Sequence, residues 1–313
     1  MAEAPVAVDP LGRHVSVVSG DTLTILDLWD DLADVASHHV PPSRLVAVHP
    51  TGTAVATLSH DGDLQLWRND AREQTTSAGN GEWLTFTADG RYLLLGSAAA
   101  GEPARIDLFD AVMLERLDTA LMVDWRADPL SHWGEGVEVA CSIDQTAAVG
   151  LAANLGDDPY ILAVAEVSGN RLQVHGVDAE HSYTLHVPGE RVNGIALAGR
   201  ELFVLDNDGI LSVFDWQAPG VAHRLVASGG DLLDYDDGFQ LGGSLFVRDD
   251  VVALDVVHEE QLVAVVLLDA RSGQRRRLLE LPVDWHDRHA YIDNGFLRGT
   301  DGGHTHFAAI RPE

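Results

Sequence analysis

Short apolar runs separated by turn residues recur along the chain, and this rhythm constrains the fold more than any other feature. Residues 39–68 read HVPPSRLVAVHPTGTAVATLSHDGDLQLWR, in which the turns HPTG and HDG separate three β-rich runs. Gly, Asp and Pro supply the bent or positive-φ backbone of a hairpin, so these runs are predicted to be consecutive antiparallel strands. Similar punctuation recurs near residues 12, 52, 90, 145, 199, 250 and 295. The recurrence predicts an array of small antiparallel sheets.

The same stretch resembles one repeat of the WD40 family of β-propellers. In such a repeat a His precedes the first strand, a Pro-x-Gly turn follows it, and an Asp-Gly turn and a Trp lie in the next hairpin. The early spacing of about 40 residues is close to the ~40–45 residues of that repeat. The matching positions are His39, Pro50, Gly52, Thr57, Asp61, Gly62 and Trp67. The resemblance implies a hydrogen-bonded tetrad of His39, Thr57, Asp61 and Trp67. Family blades usually end the third strand with Trp-Asp, whereas Arg68 follows Trp67 in this chain.

Four candidate strands per unit, seven units and no helical period predict an all-β, seven-bladed β-propeller in a single domain. The predicted blades cover residues 4–38, 39–79, 80–130, 131–180, 181–232, 233–283 and 284–313. In the first, third and fifth units, Leu28, Phe109 and Phe214 are predicted near the Trp position. Outer strands are predicted at 114–121, 171–175, 222–226 and 276–281. The last blade is predicted to be three-stranded or to close differently, because only MAEA precedes the first inner strand.

The charge of the chain excludes several chemistries. The formal net charge is −29, and all 20 cationic residues are Arg. Without Lys there is no Schiff-base or Walker lysine, which excludes pyridoxal-phosphate and P-loop chemistry. An acidic surface repels phosphate backbones, so nucleic acid is not an expected partner and a basic protein or peptide fits better. Acidity that serves only solubility would explain the same charge. The Arg run 275–277 is predicted to be a solvated strand edge.

Cysteine count and hydropathy indicate a cytoplasmic protein. The single cysteine, Cys141, excludes an internal disulfide and a multi-cysteine metal site. No apolar run approaches the ~18–20 residues of a membrane span, so no membrane partner is expected. The first residues, MAEAPVAVD, lack the basic start and apolar core of a signal peptide.

In a propeller, the loops that lead into the inner strands share one face with the turns between second and third strands. Aromatic residues interleaved with Arg and Asp on such a face are typical of partner hot spots. The predicted partner-binding residues are Trp83, His132, Trp133, Tyr160, Arg191, Tyr235, Trp285, His286 and Arg288. The alternative is that each Trp packs beneath its own loop as part of the core.

No cofactor or metal site is predicted. His304 and His306 share a strand face and, with His286 and His289 upstream, offer imidazoles that zinc could use. The first pair straddles a loop-to-strand transition, however, and histidine is plentiful in this chain. No Gly-x-Ser-x-Gly nucleophile elbow is present.

Two functions from different classes remain open. The favoured one is a non-catalytic scaffold that binds a protein or peptide partner through the loop face of a WD40-like propeller. The alternative is an enzyme or small-ligand binder that uses the central channel, in the manner of propeller hydrolases and lactonases. Asp144, Asn193 and Asp293, near inner strands, are the first residues to examine for it. A deep channel lined by carboxylates would favour the enzyme, and a plugged apolar channel would favour the scaffold.

Overall fold

Strands are the only regular secondary structure in the part of the chain that the computed structural model describes. The described residues are 7–19, 21–30, 32–69, 71–81, 83–97, 105–121, 137–141, 148–153, 161–176, 192–206, 209–215, 224–228, 239–248, 250–258, 261–281, 289–293, 296–301 and 304–309. Within these ranges no helix has the length and apolar character that crossing a membrane would require.

One compact unit comprises Met1–Trp133, Ser142–Ala148 and Ala165–Val174. It contains three four-stranded antiparallel sheets, each a meander in chain order. The first sheet is β1 (Ala7–Val8), β2 (His14–Ser19), β3 (Thr22–Asp27) and β4 (Ala33–His39). The second is β5 (Ser43–Val48), β6 (Ala54–Ser59), β7 (Asp63–Arg68) and β8 (Ala71–Ser77). The third is β9 (Trp83–Phe86), β10 (Tyr92–Ser97), β11 (Arg105–Asp110) and β12 (Arg116–Leu121).

The later strands form four more antiparallel sheets. The fourth sheet is β13 (Val137–Cys141), β14 (Ala148–Ala153), β15 (Ile161–Ser168) and β16 (Arg171–Gly176). The fifth is β17 (Val192–Ala198), β18 (Glu201–Asp206), β19 (Ile210–Asp215) and β20 (Arg224–Ser228). The sixth is β21 (Phe239–Arg248), β22 (Val251–His258), β23 (Gln261–Asp269) and β24 (Arg275–Glu280). The last is β25 (His289–Asp293), β26 (Phe296–Asp301) and β27 (His304–Ala309). A second compact unit comprises Gly134–Cys141, Val149–Val164 and His175–Glu313.

Consecutive sheets contact each other through their first strands, as the blades of a propeller do. Within the first unit β1 lies against β5 and β5 against β9, and within the second β13, β17, β21 and β25 follow one another in the same way. The predicted all-β propeller is therefore confirmed as an arrangement of small antiparallel sheets. Five blades have described cores, those of the first, second, third, fifth and sixth sheets. The predicted count of seven is not confirmed, because the side-chain packing of the fourth and last sheets lies mostly outside the described residues.

Burial follows the position of a strand within its blade. β6 and β10 are buried at every residue but the last, which explains why both read as nearly continuous apolar runs. The outer strand β8 is exposed at every second residue or more, in keeping with its polar sequence AREQTTS. Adjacent blades share their cores: one cluster joins the first and second sheets, another the second and third, and a third the fifth and sixth.

Strand register corrects one sequence prediction. Trp67 pairs with Val55, and the residues in the same register elsewhere are Leu26, Phe109, Phe214 and Leu268. Phe109 and Phe214 therefore occupy the predicted Trp position, but Leu26 occupies it in the first sheet instead of Leu28. Leu28 lies two residues further on, beyond the end of β3, where its backbone N–H donates to the Arg13 carbonyl at 2.8 Å.

Candidate interaction surface

Each blade has two ends, which differ in what connects the strands. We call the end with the loop into the first strand and the turn between second and third strands the loop end. The turn end carries the turns between first and second strands and between third and fourth strands. The sequence predicts the partner site at the loop end.

The turns between first and second strands of the first three blades have one geometry. In each, the N–H of the first turn residue donates to the carbonyl five residues later, at 2.9, 3.0 and 2.9 Å. A glycine at the fourth position donates its N–H back to the first carbonyl, at 2.9, 2.8 and 2.8 Å. These glycines, Gly12, Gly52 and Gly90, have φ of +64°, +71° and +70°, a conformation that glycine adopts without strain. The turns begin at Asp9, His49 and Thr87.

Two imidazoles connect these three turns: one joins the first blade to the second and the other joins the second to the third. The His14 ring lies so close to Gly52 that a Cβ there would stand 2.6 Å from the ring Cδ2. Asp9 also contacts that ring: its Oδ2 lies 2.9 Å from His14 Nδ1. In the second blade His49 makes the corresponding contact: its Nε2 lies 3.0 Å from the Gly90 carbonyl oxygen. The turn ends of the first three blades are therefore joined in one row of buried or half-buried contacts.

The turns between third and fourth strands are stiffened by a carboxylate. Asp27 accepts a hydrogen bond from the Trp29 N–H at 2.8 Å. Asp110 accepts from the N–H groups of Val112 and Met113, both at 2.8 Å. Each Asp is the last residue of the third strand and satisfies turn donors that would otherwise face only water. In the second blade Arg68 takes this position, and the connection from Arg68 to Ala71 is shorter.

Exposed large apolar side chains concentrate at the turn end. Six are exposed in the part of the chain that the structure describes: Leu11, Trp29, Leu32, Val35, Val112 and Met113. All but Val35 lie in turns of this end. Trp29 is 54% exposed and Met113 is 61% exposed. Single exposed apolar residues are ordinary on protein surfaces, but several in adjoining turns are typical of an interaction site.

Leu11, Arg13, Trp29 and Leu32, which we call the Trp29 patch, occupy the two turns of the first blade. Arg13 donates from Nη2 and Nε to Asp27 Oδ2, at 2.7 and 3.0 Å. Its guanidinium carbon lies 5.9 Å from the centre of the Trp29 ring, within cation–π range. The Arg13 hydrogen bond lowers the pKa of Asp27, and the Trp29 N–H lowers it further against the opposing effect of burial. The Asp27 carboxylate thus stays ionised and holds Arg13 over the indole.

Of the nine predicted partner-binding residues, the structure describes Trp83 alone. Its indole packs over Gly96 on the neighbouring strand, in the space that a Cβ at Gly96 would need. Trp83 is half-buried, which agrees with the alternative that it packs within its own blade. The other eight lie outside the described residues: His132, Trp133, Tyr160, Arg191, Tyr235, Trp285, His286 and Arg288.

The expected tetrad is formed only in part. Trp67 Nε1 donates to Thr57 Oγ1 at 3.0 Å, and both residues are buried. The His39 side chain, however, is 70% exposed at the end of β4 and lies 3.2 Å from Asp21 Oδ2. Asp61 is exposed in the turn between β6 and β7. His39 and Asp61 therefore do not complete a buried tetrad with Thr57, because β4 places the His39 side chain toward solvent.

The candidate metal and channel residues are not placed by the structure. His286 and Asp144 lie outside the described residues, and only the backbone is described for His289, His304 and His306 and for Asn193 and Asp293. Within the described side chains no group of three His, Cys, Asp or Glu could hold a metal ion.

No protein-family sequence model matches this chain, and no curated protein matches it significantly. The likeness to WD40 repeats is thus a resemblance carried by residues 39–68 and by the propeller arrangement itself.

Sequence reasoning missed the turn end because its turns look ordinary. The residues after β3 read LWDDL, in which a single Trp stands next to acidic residues, and those after β11 read AVML. A large apolar residue within two or three positions of a strand-ending Asp was the available signal.

Proposed function

We propose that this chain is a non-catalytic interaction module, a seven-bladed WD40-like ring that binds a protein or peptide partner. The observation that supports this function most directly is the exposure of Trp29, Val112 and Met113 in turns that hydrogen bonds hold in place. Apolar side chains on rigid turns bury area on binding with little loss of conformational entropy.

Charge supports a basic partner and a cytoplasmic setting. With a net charge of −29, the surface attracts cationic segments over long range and repels nucleic acid. A single cysteine in 313 residues suits a reducing compartment.

Site-specific photo-crosslinking tests the proposal. A photoreactive phenylalanine analogue replaces Met113 in one variant and Thr75, exposed on the outer strand β8, in a matched control. We expect a discrete partner to crosslink at position 113 and not at position 75 when the protein is irradiated in cell extract.

Variants Trp133→Ala and Trp285→Ala, in the same assay, report on the loop end. Loss of the partner in either variant, with folding retained by circular dichroism, would add the loop end to the interface. Equal labelling at 113 and 75, or no protein captured at either, would count against a scaffold function.

A further inference from the structure

The two exposed turns of the first unit differ in their chemistry. The turn of the third blade presents Val112 and Met113, which are apolar only. The turn of the first blade presents an indole with one guanidinium already near its face, and acidic residues follow it in the chain. The first blade is therefore equipped for a partner that carries charge as well as apolar groups.

Carboxylates beside the Trp29 patch outnumber its one cation, Arg13. Asp27 neutralises Arg13 through the two hydrogen bonds described above. Asp30 is exposed beside Trp29, and its charge is close enough to raise the pKa of Arg13 after the larger effect of Asp27. Asp34, on β4 opposite Leu26, is also exposed. The carboxylates close enough to raise the pKa of Arg13 are Asp27, Asp9 and Asp30, and of these Asp30 is exposed.

We propose that the Trp29 patch binds a short peptide segment in which an Arg or Lys stands beside apolar residues. The cation stacks on the exposed part of the indole and pairs with Asp30 and Asp34. Its apolar neighbours cover Leu11 and Leu32. This inference rests on the proposed interaction function and names the partner chemistry of one surface.

Electrostatics separates this occupant from others. An acidic segment would place like charges beside Asp30 and Asp34, and a purely apolar segment would leave both carboxylates without a cation. Exposed cation–π contacts on tryptophan are among the stronger polar contacts that a surface offers. Arg13 does not repel the incoming cation strongly, because its charge is balanced by Asp27.

Binding of synthetic peptides to the full chain tests the inference. Fluorescently labelled Leu-Arg-Leu-Arg-Leu is titrated by anisotropy, beside Leu-Glu-Leu-Glu-Leu and Ser-Arg-Ser-Arg-Ser. We expect the first peptide to bind more tightly than either of the others, and its binding to weaken as salt rises. Trp29→Ala should weaken it about tenfold, as truncation of an aromatic hot spot does.

The controls use matched exposed positions. Thr75→Ala changes an exposed side chain on the outer strand β8, away from both exposed turns, and should leave the affinity unchanged. Asp30→Asn with Asp34→Asn should weaken binding and flatten its salt dependence. Trp29→Ala retains the backbone N–H that donates to Asp27, so the turn is expected to keep its conformation. Circular dichroism checks that the variant is folded.

Three results would overturn the inference: no binding of the Arg-containing peptides, equal binding of the Glu peptide, or an affinity that Trp29→Ala does not change. If these occur while position 113 still crosslinks a partner, the partner chemistry is wrong and the interaction function stands. If crosslinking fails as well, both proposals fail.

Discussion

Replacement of Gly52 by Ala tests the row of contacts that joins the turn ends. The new Cβ would lie 2.6 Å from Cδ2 and 2.7 Å from Nε2 of His14, distances that real Cβ atoms essentially never show. The His14 ring has little room to retreat, because it is 4% exposed and Asp9 holds its Nδ1. Gly52→Ala should therefore separate the first and second blades locally and destabilise the fold.

The expected cost has two parts. An L-residue in the left-handed conformation destabilises the folded state by about 1–2 kcal/mol. Replacing Gly by Ala also lowers the conformational entropy of the unfolded chain, which offsets about 0.4–1 kcal/mol of this loss. Overpacking against a held side chain adds about 1–3 kcal/mol. Together these predict a loss of about 1–5 kcal/mol in the free energy of unfolding.

Gly169→Ala isolates the first part, because Gly169 has φ of +59° and nothing lies within 4 Å of its added Cβ. It should cost about 1 kcal/mol. Both variants are unfolded in urea and compared with the wild-type protein. His14→Ala is made alone and together with Gly52→Ala, so that the ring is absent when the new Cβ is added. The loss of stability in the double variant should be smaller than the sum of the losses in the two single variants. A Gly52→Ala cost within about 0.5 kcal/mol of the Gly169→Ala cost, or full additivity with His14→Ala, would refute the contact.

Three further predictions concern single side chains. Trp67→Phe removes the donor to the buried Thr57 hydroxyl and should lower the free energy of unfolding by about 1–3 kcal/mol. Adding Thr57→Val should recover part of this loss, because the hydroxyl without a partner is then also removed. No recovery would mean that the hydrogen bond contributes little to stability. Leu32→Gly should raise the melting temperature, because exposed Leu32 has φ of +62°, and a lower value would contradict strain at this turn. Burial lowers the pKa of His49 against the opposing effect of its hydrogen bond to the Gly90 carbonyl, so the imidazole is neutral at neutral pH. The stability that neutral His49 contributes should be complete above about pH 6.5 and fall as the pH decreases toward the lowered pKa. The free energy of unfolding of His49→Gln should therefore depend less on pH between about pH 7.5 and 5 than that of the wild-type protein. Equal slopes would exclude His49 as the source of the pH dependence.

The sequence is sufficient to locate strands wherever a turn imposes a backbone conformation. Gly12, Gly52 and Gly90 mark positive-φ positions, and each was a predicted anchor. Outer strands were also found closely: β16 covers Arg171–Gly176 against a predicted 171–175, and β24 covers Arg275–Glu280 against 276–281. Turn chemistry and apolar runs are local properties, so one chain carries them in full.

Side-chain partnerships across strands were less predictable. His39 matched the family offset, but its side chain points to solvent, and the first blade instead buries His14 beside Asp9. The run 275–277 is exposed on the outer strand β24, as predicted, but the pairing of Arg276 with Asp250, in the turn before β22, and with Asp269, at the end of β23, was not foreseen. Arg276 is the bulged residue of β24, and this bulge aims it at both carboxylates. Such pairings depend on register and bulges that residue types alone do not encode.

The turns that follow the third strands show why exposed apolar residues can occur there without cost to the fold. After Asp27, Asp110 and Asp269, the next residue is apolar and buried in every case: Leu28, Ala111 and Ala270. At the two positions beyond, backbone N–H groups bond to the Asp and the side chains are exposed, and in the sixth blade the Ser272 hydroxyl also donates to Asp269. The sixth blade holds Arg271 and Ser272 there, bonded to Asp269 in the same way. Polar residues therefore satisfy this turn fully, so its hydrogen bonds do not require the exposed apolar side chains of Trp29, Val112 or Met113. The proposed partner surface would supply a reason for them.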